Sequence, residues 1–143
     1  MTAEQMIKAK LVIFAHQEAG WTGSLQCMLA VACVLKNRVD AGWGEWMDVI
    51  EGAHEYEGNE IALEARMDLG DDNLRDLMRD VDDIYHGVFV DELTRVENPM
   101  GGEASCLYYC FVERPIRDWF AKHIIRSPEH PRVAQVGQMM LYE

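Results

Sequence analysis

The chain has 143 residues, of which 49% are hydrophobic, and a formal net charge of −12. That is enough apolar material for one domain over residues 1–143 with a core that needs neither disulfides nor metals, and no Pro/Gly/Ser-rich linker or internal repeat marks a second domain. The longest apolar stretch, Cys27 to Leu35, falls far short of the roughly 20 residues a spanning helix needs, and the start Met-Thr-Ala-Glu-Gln-Met lacks the basic residues and hydrophobic run of a secretion signal.

The expectation is therefore a protein with no membrane partner, made in the cytoplasm. Seventeen acids fall between residues 40 and 92, while Arg114, Arg117, Lys122, Arg126 and Arg132 cluster late. The acidic middle argues against nucleic acid as a partner and reads as a solvated face.

A first helix is expected from Ala3 to about Gln17. Ile7, Leu11 and Phe14 make an apolar face at helical spacing, and Glu18 closes that face one turn later. A carboxyl group placed against a core is disfavoured in its charged form, which raises its pKa and keeps it protonated at neutral pH, the state a general acid requires. Ala19-Gly20-Trp21 then stops the helix and supplies an aromatic. An acid beside a flat apolar ring at a loop is a common way to build a sugar-cleaving site. The alternative is a glutamate that caps or bridges inside a small core.

A second helix, Leu25 to Asp40, is apolar on most sides and reads as the central buried helix. Gly42 and Gly44 end it. Trp46, Val49 and Ile50 indicate a short helix, and His54-Glu55-Tyr56-Glu57-Gly58-Asn59 reads as a polar, aromatic loop of the kind that lines sites. A third long helix opens at Asp71-Asp72-Asn73, carries Leu74, Leu77, Met78, Val81, Ile84 and Tyr85 at helical spacing, and stops at Gly87.

After a turn at Asn98 to Gly102, Ala104 to Val112 is β-prone and reads as a strand. A helix from Ile116 to about Ile125 carries Trp119 and Phe120. A loop follows at Ser127 to Pro131, and Val133 to Tyr142 looks extended. The two late strands pair as a small antiparallel sheet. The fold class is α+β, mostly helical, with a minor β element near the C-terminus.

Cys27 and Cys33 turn to different faces of a helix, and Cys106 and Cys110 lie roughly 13 Å apart along a strand, so neither local pair can bridge. Buried thiols are expected. The five histidines show no zinc-site spacing and the acids no calcium-loop pattern, so no metal and no cofactor is expected.

Ala15-His16-Gln17-Glu18-Ala19-Gly20 followed by Leu29-Ala30-Val31-Ala32-Cys33-Val34-Leu35-Lys36-Asn37-Arg38-Val39 resembles the SleB-like cell wall hydrolases. The resemblance continues through Trp46-Met47-Asp48-Val49-Ile50, the aromatic loop near Tyr56, Leu107-Tyr108-Tyr109 after a Gly-rich turn, and Val136-Gly137. It implies a lysozyme-like fold and cleavage of peptidoglycan glycan strands between N-acetylmuramic acid and N-acetylglucosamine, with Glu18 at the position of the family's catalytic glutamate. A lytic transglycosylase needs no second carboxylate. In a hydrolytic version Glu55 or Glu57 would position water. Trp21, Tyr56, Tyr108 and Tyr109 are the candidates for sugar contact, and only one of the two adjacent tyrosines can face a cleft because side chains alternate along a strand. Asn37 and Arg38 are assigned structural work.

Three departures from the family pattern stand out. Met28 and Met139 replace a Gln and a His, and one extra residue lies between Glu18 and Asn37-Arg38, to be absorbed between Trp21 and Ser24. Wall enzymes of this type need export, which a phage protein would escape by waiting in the host cytoplasm for lysis, as an endolysin does, or by riding in the virion among virion proteins. The alternative function is a catalytically inactive virion or wall-binding structural protein that keeps the fold. A helical interaction module unrelated to walls is the third reading.

Overall fold

Thr2 starts the first helix by satisfying its exposed amides. Its hydroxyl accepts from the Gln5 amide at 3.1 Å, and the Gln5 side-chain oxygen accepts from the Thr2 amide at 2.9 Å, a reciprocal capping box. The computed structural model describes residues 2–57, 71–97 and 103–143, with residues 54–57 and 71–73 described through their backbone alone. Two compact units result, residues 1–90 and 91–143.

The first unit is helical: α1 (Ala3–Ala19), a 3-10 turn (Gly20–Thr22), α2 (Leu25–Asp40), α3 (Trp46–Glu57) and α4 (Asp71–His86). Helix α2 packs against all three of the others. Its Ser24 cap accepts from the Cys27 amide at 3.2 Å, and every residue from Cys27 to Leu35 is buried, as expected of the central helix. Leu11, Val31, Leu35, Ile50, Leu77 and Val81 are fully buried, each stabilising by about 1.5–3 kcal/mol relative to exposure. Asn37 is also buried, and the Arg38 guanidinium lies 5.0 Å from the centre of the Trp43 ring, a cation–π contact that fastens the end of α2.

Helix α3 corrects one expectation. His54, Glu55, Tyr56 and Glu57 complete a helix of 12 residues instead of beginning a loop. Their polarity is compatible with a helix end, because the local hydrogen-bond ladder asks for good helix formers and not for apolar ones. Gly58 and Asn59 lie outside the described residues, as does the Asn98–Gly102 turn.

The second unit holds two small antiparallel sheets. Strands β1 (Arg95–Glu97) and β2 (Glu103–Ser105) pair with Val96 opposite Ala104. Strands β3 (Tyr108–Phe111), β4 (Arg132–Val136) and β5 (Met139–Tyr142) form a second sheet in the order β3-β5-β4. The single strand expected over 104–112 is thus two strands. The Cys106 amide donates to the Thr94 carbonyl and the Leu107 amide to the Tyr142 carbonyl, each at 2.9 Å, so the chain changes sheets between these residues. The expected extended run 133–142 is a hairpin, turned at Gly137, whose φ of 56° favours glycine.

The helix expected from Ile116 starts at Asp118. It is one turn, α5 (Asp118–Phe120), continued by a π-helical turn, Ala121–Ile125. Phe120 and Ile124 pack with Cys110 and Tyr142 as a small core, with Tyr108 and Met140 against it. Mostly helical composition with small antiparallel sheets is the observed class. Among the described residues, no helix is long and apolar enough to cross a membrane.

Candidate functional site

Glu18 occupies the last turn of α1, partly buried, one residue before fully buried Ala19. Leu11 and Phe14, on the same face, are core residues, and Ile7 is partly buried. The junction after Glu18 is tightly tied. The Trp21 indole Nε1 donates to the Glu18 carbonyl at 2.9 Å, the Thr22 hydroxyl donates to the Ala19 carbonyl at 2.6 Å, and the Ser24 amide donates to the Thr22 hydroxyl oxygen at 3.1 Å. A side chain at Gly20 would meet the His16 ring at 2.8 Å and displace it. Gly23 then takes a left-handed φ of 67°. This connection holds a partly buried acid beside an exposed indole.

Tyr56 and Glu57 lie at the end of α3, and their side chains, like that of Glu55, are outside the described residues. Tyr108 and Tyr109 fall on opposite faces of β3, as alternation requires. Tyr109 packs edge-on to Phe111 at 5.8 Å between centroids, while Tyr108 packs edge-on to His130 at 4.9 Å.

Tyr108 also lines a cleft of about 450 Å³ in the second unit, with Trp119, Lys122, His123, Ser127, Glu129 and His130 among its walls. Apart from Tyr108, sequence reasoning missed this group, although Trp119, Lys122 and His123 are exposed at helical spacing while Phe120 and Ile124 between and beside them are buried, Ile124 also bordering the cleft. That two-faced pattern was the available signal. Trp119 is 49% exposed and its ring lies 5.6 Å from that of His123, tilted by 40°. His130 Nδ1 lies 2.8 Å from the Glu143 carbonyl oxygen. A carbonyl only accepts, so Nδ1 carries the donated proton and ring orientation is fixed.

Among the described residues, one further cluster of potential ligands reads as structural. Glu4, Asp82 and His86 bring three potential ligand atoms within 4.8 Å of one another, but Lys8 Nζ sits 2.6 Å from Asp82 and 3.7 Å from Glu4, supplying the positive charge that a metal would bring. His86 Nε2 reaches Glu4 at 2.7 Å, and its Nδ1 reaches the Asp82 carbonyl at 2.8 Å. The set is an ionic clasp between α1 and α4.

All four cysteines are buried thiols. Burial, with help from Asp91, pushes Cys106 up to about 12. Burial also raises Cys110. Thiols held protonated in this way are poor nucleophiles. Met28 and Met139, 1% and 0% exposed, fill core positions.

No protein-family model, curated protein or solved structure matches this chain.

Proposed function

We propose that the protein cleaves peptidoglycan glycan strands between N-acetylmuramic acid and N-acetylglucosamine, on a lysozyme-like helical scaffold, with Glu18 as general acid and base. The observation that carries this reading is the partly buried Glu18 on a tied turn beside the exposed indole of Trp21. The Glu18 carboxyl gives its proton to the glycosidic oxygen as the bond to the muramoyl anomeric carbon breaks. The resulting carboxylate then takes a proton from the muramoyl 6-hydroxyl, whose oxygen closes on that carbon as a 1,6-anhydro ring. Glu18 is returned protonated, no water is consumed, and no metal or second carboxylate takes part.

Trp21 and Tyr56, with Glu57 nearby in sequence, are the residues proposed to contact sugar in the first unit; in the second unit, taken by itself, Tyr108 is preferred to Tyr109 because it lines a cleft. A phage origin, as an endolysin or a virion-borne enzyme, belongs to the same proposal.

The test is digestion of purified peptidoglycan by wild type and by Glu18→Gln, with released fragments weighed. Anhydromuramoyl products from wild type, reduced at least about a hundredfold in Glu18→Gln, are expected, since a general acid contributes 10²–10⁴-fold. Reducing muramoyl ends would mark a hydrolase. A second reading, a virion or wall-binding structural protein that keeps the fold, is favoured by Met139, which closes its position to solvent with a thioether. Release of nothing by folded wild type, beside an active control enzyme, selects that reading.

A further inference from the structure

We propose that the cleft formed by Tyr108, Trp119, Lys122, His123, Ser127 and His130 is a binding subsite for a carboxylate-bearing amino sugar, the muramoyl residue with the first part of its peptide. The choice of a muramoyl ligand among acidic sugars rests on the peptidoglycan reading. The size and the charge of the cleft do not.

A volume of about 450 Å³ is within the range of small-molecule sites and accommodates a sugar with a short appendage. Its lining is partly aromatic. The half-exposed Trp119 face and the His123 ring beside it, tilted by 40°, offer two planes against which the C–H face of a pyranose can pack, while Tyr108 and His130 stand edge to face on the cleft wall. Polar groups converge on the same space. Lys122 brings a cation, the Ser127 hydroxyl can donate, and the His130 ring is oriented by its bond to the Glu143 carbonyl.

Charge selects the ligand. Residues 1–90 carry seven Lys and Arg against seventeen Asp and Glu, but between residues 113 and 132 five cations stand against three acids. Of these cations Lys122 lines the cleft, where it can pair with one carboxylate of a ligand. Glu129, the acid of the lining, offsets Lys122, disfavours a doubly charged anion such as phosphate and can accept from sugar hydroxyls.

The experiment is an amide and indole NMR titration of the full chain with muramyl dipeptide, using uncharged diacetylchitobiose as comparison. Saturable shifts at Trp119, Lys122, His123 and His130 are expected. Diacetylchitobiose should bind about tenfold more weakly, Lys122→Ala should lower muramyl dipeptide affinity by about tenfold and Trp119→Ala by more, and Trp119→Phe should restore part of the loss. No shift at these residues, or equal affinity in Lys122→Ala with its spectrum otherwise native, overturns the proposal. The digestion assay keeps the two readings apart. Muramyl dipeptide binding without glycan release leaves the subsite standing and removes catalysis by Glu18, whereas glycan release without cleft shifts does the reverse.

Discussion

At the scale of single residues, two kinds of burial have opposite consequences. Glu18 is partly buried at a tied turn, where an acid can meet a ligand, whereas Cys106 and Met139 are fully enclosed. With Cys106 pushed up to about 12 and all four thiols buried, native protein at pH 8 should react with a thiol reagent orders of magnitude more slowly than protein in urea, as a colorimetric thiol assay would read. Fast native labelling would contradict the burial. Met139 makes a second test. Met139→Leu conserves volume and should cost less than about 1.5 kcal/mol, but Met139→His places an imidazole in a dry site and should cost about 1–3 kcal/mol by urea denaturation. If the histidine variant is the more stable, the core position contains polar space that the fully buried methionine conceals.

At the scale of elements, the α1–α4 clasp makes packing of two helices depend on pH. The hydrogen bond to the Asp82 carbonyl, opposed by some desolvation and aided by the Asp82 and Glu4 charges, raises His86 above its ordinary 6.5. Its contribution is therefore complete below 6.5 and lost as pH rises through the higher folded value. The Lys8 hydrogen bond holds Asp82 below its ordinary 3.8, so that contribution is complete above 3.8 and lost as pH falls through the lower folded value. Between those two ordinary values the clasp is whole. The melting temperature of wild type should exceed that of His86→Gln by more at about pH 5.5 than at about pH 9. An equal gap at both would remove His86 charge from the account. In the second unit, Gly137→Ala at φ 56° should destabilise the β4–β5 hairpin by about 1–2 kcal/mol, because an L side chain strains in the left-handed region.

For the whole molecule the dominant fact is a charge of −12 placed unevenly. Self-repulsion among the acids opposes the compact state and is screened over about 8–10 Å at physiological salt. Raising sodium chloride from about 20 mM to about 300 mM should therefore raise the melting temperature while weakening muramyl dipeptide binding, since screening relieves repulsion and also dims the attraction of Lys122. Parallel changes in both quantities would show that the cleft does not use charge. The late cations were visible as a cluster in the sequence, and in the structure Lys122 is the one among them that lines the cleft described here.

The sequence by itself determined the two long helices α2 and α4, though not where α3 ends or how the late helix winds. Ser24 and the apolar run after it fixed α2, and the spacing from Leu74 to Tyr85 fixed α4, because a helix closes its hydrogen bonds within four residues and its face is written in local periodicity. It also determined that Tyr108 and Tyr109 part to opposite faces and that the cysteines do not pair locally. Tertiary structure decided what depends on distant partners. Whether Ala104 to Val112 was one strand or two turned on Thr94 and Tyr142, whose carbonyls claim successive amides, and strand pairing is not local. The clasp joins Glu4 and Lys8 to Asp82 and His86, and the cleft joins Tyr108 to Trp119 and His130. Such groupings have no spacing rule, because the chain that separates their members contributes only its path through space.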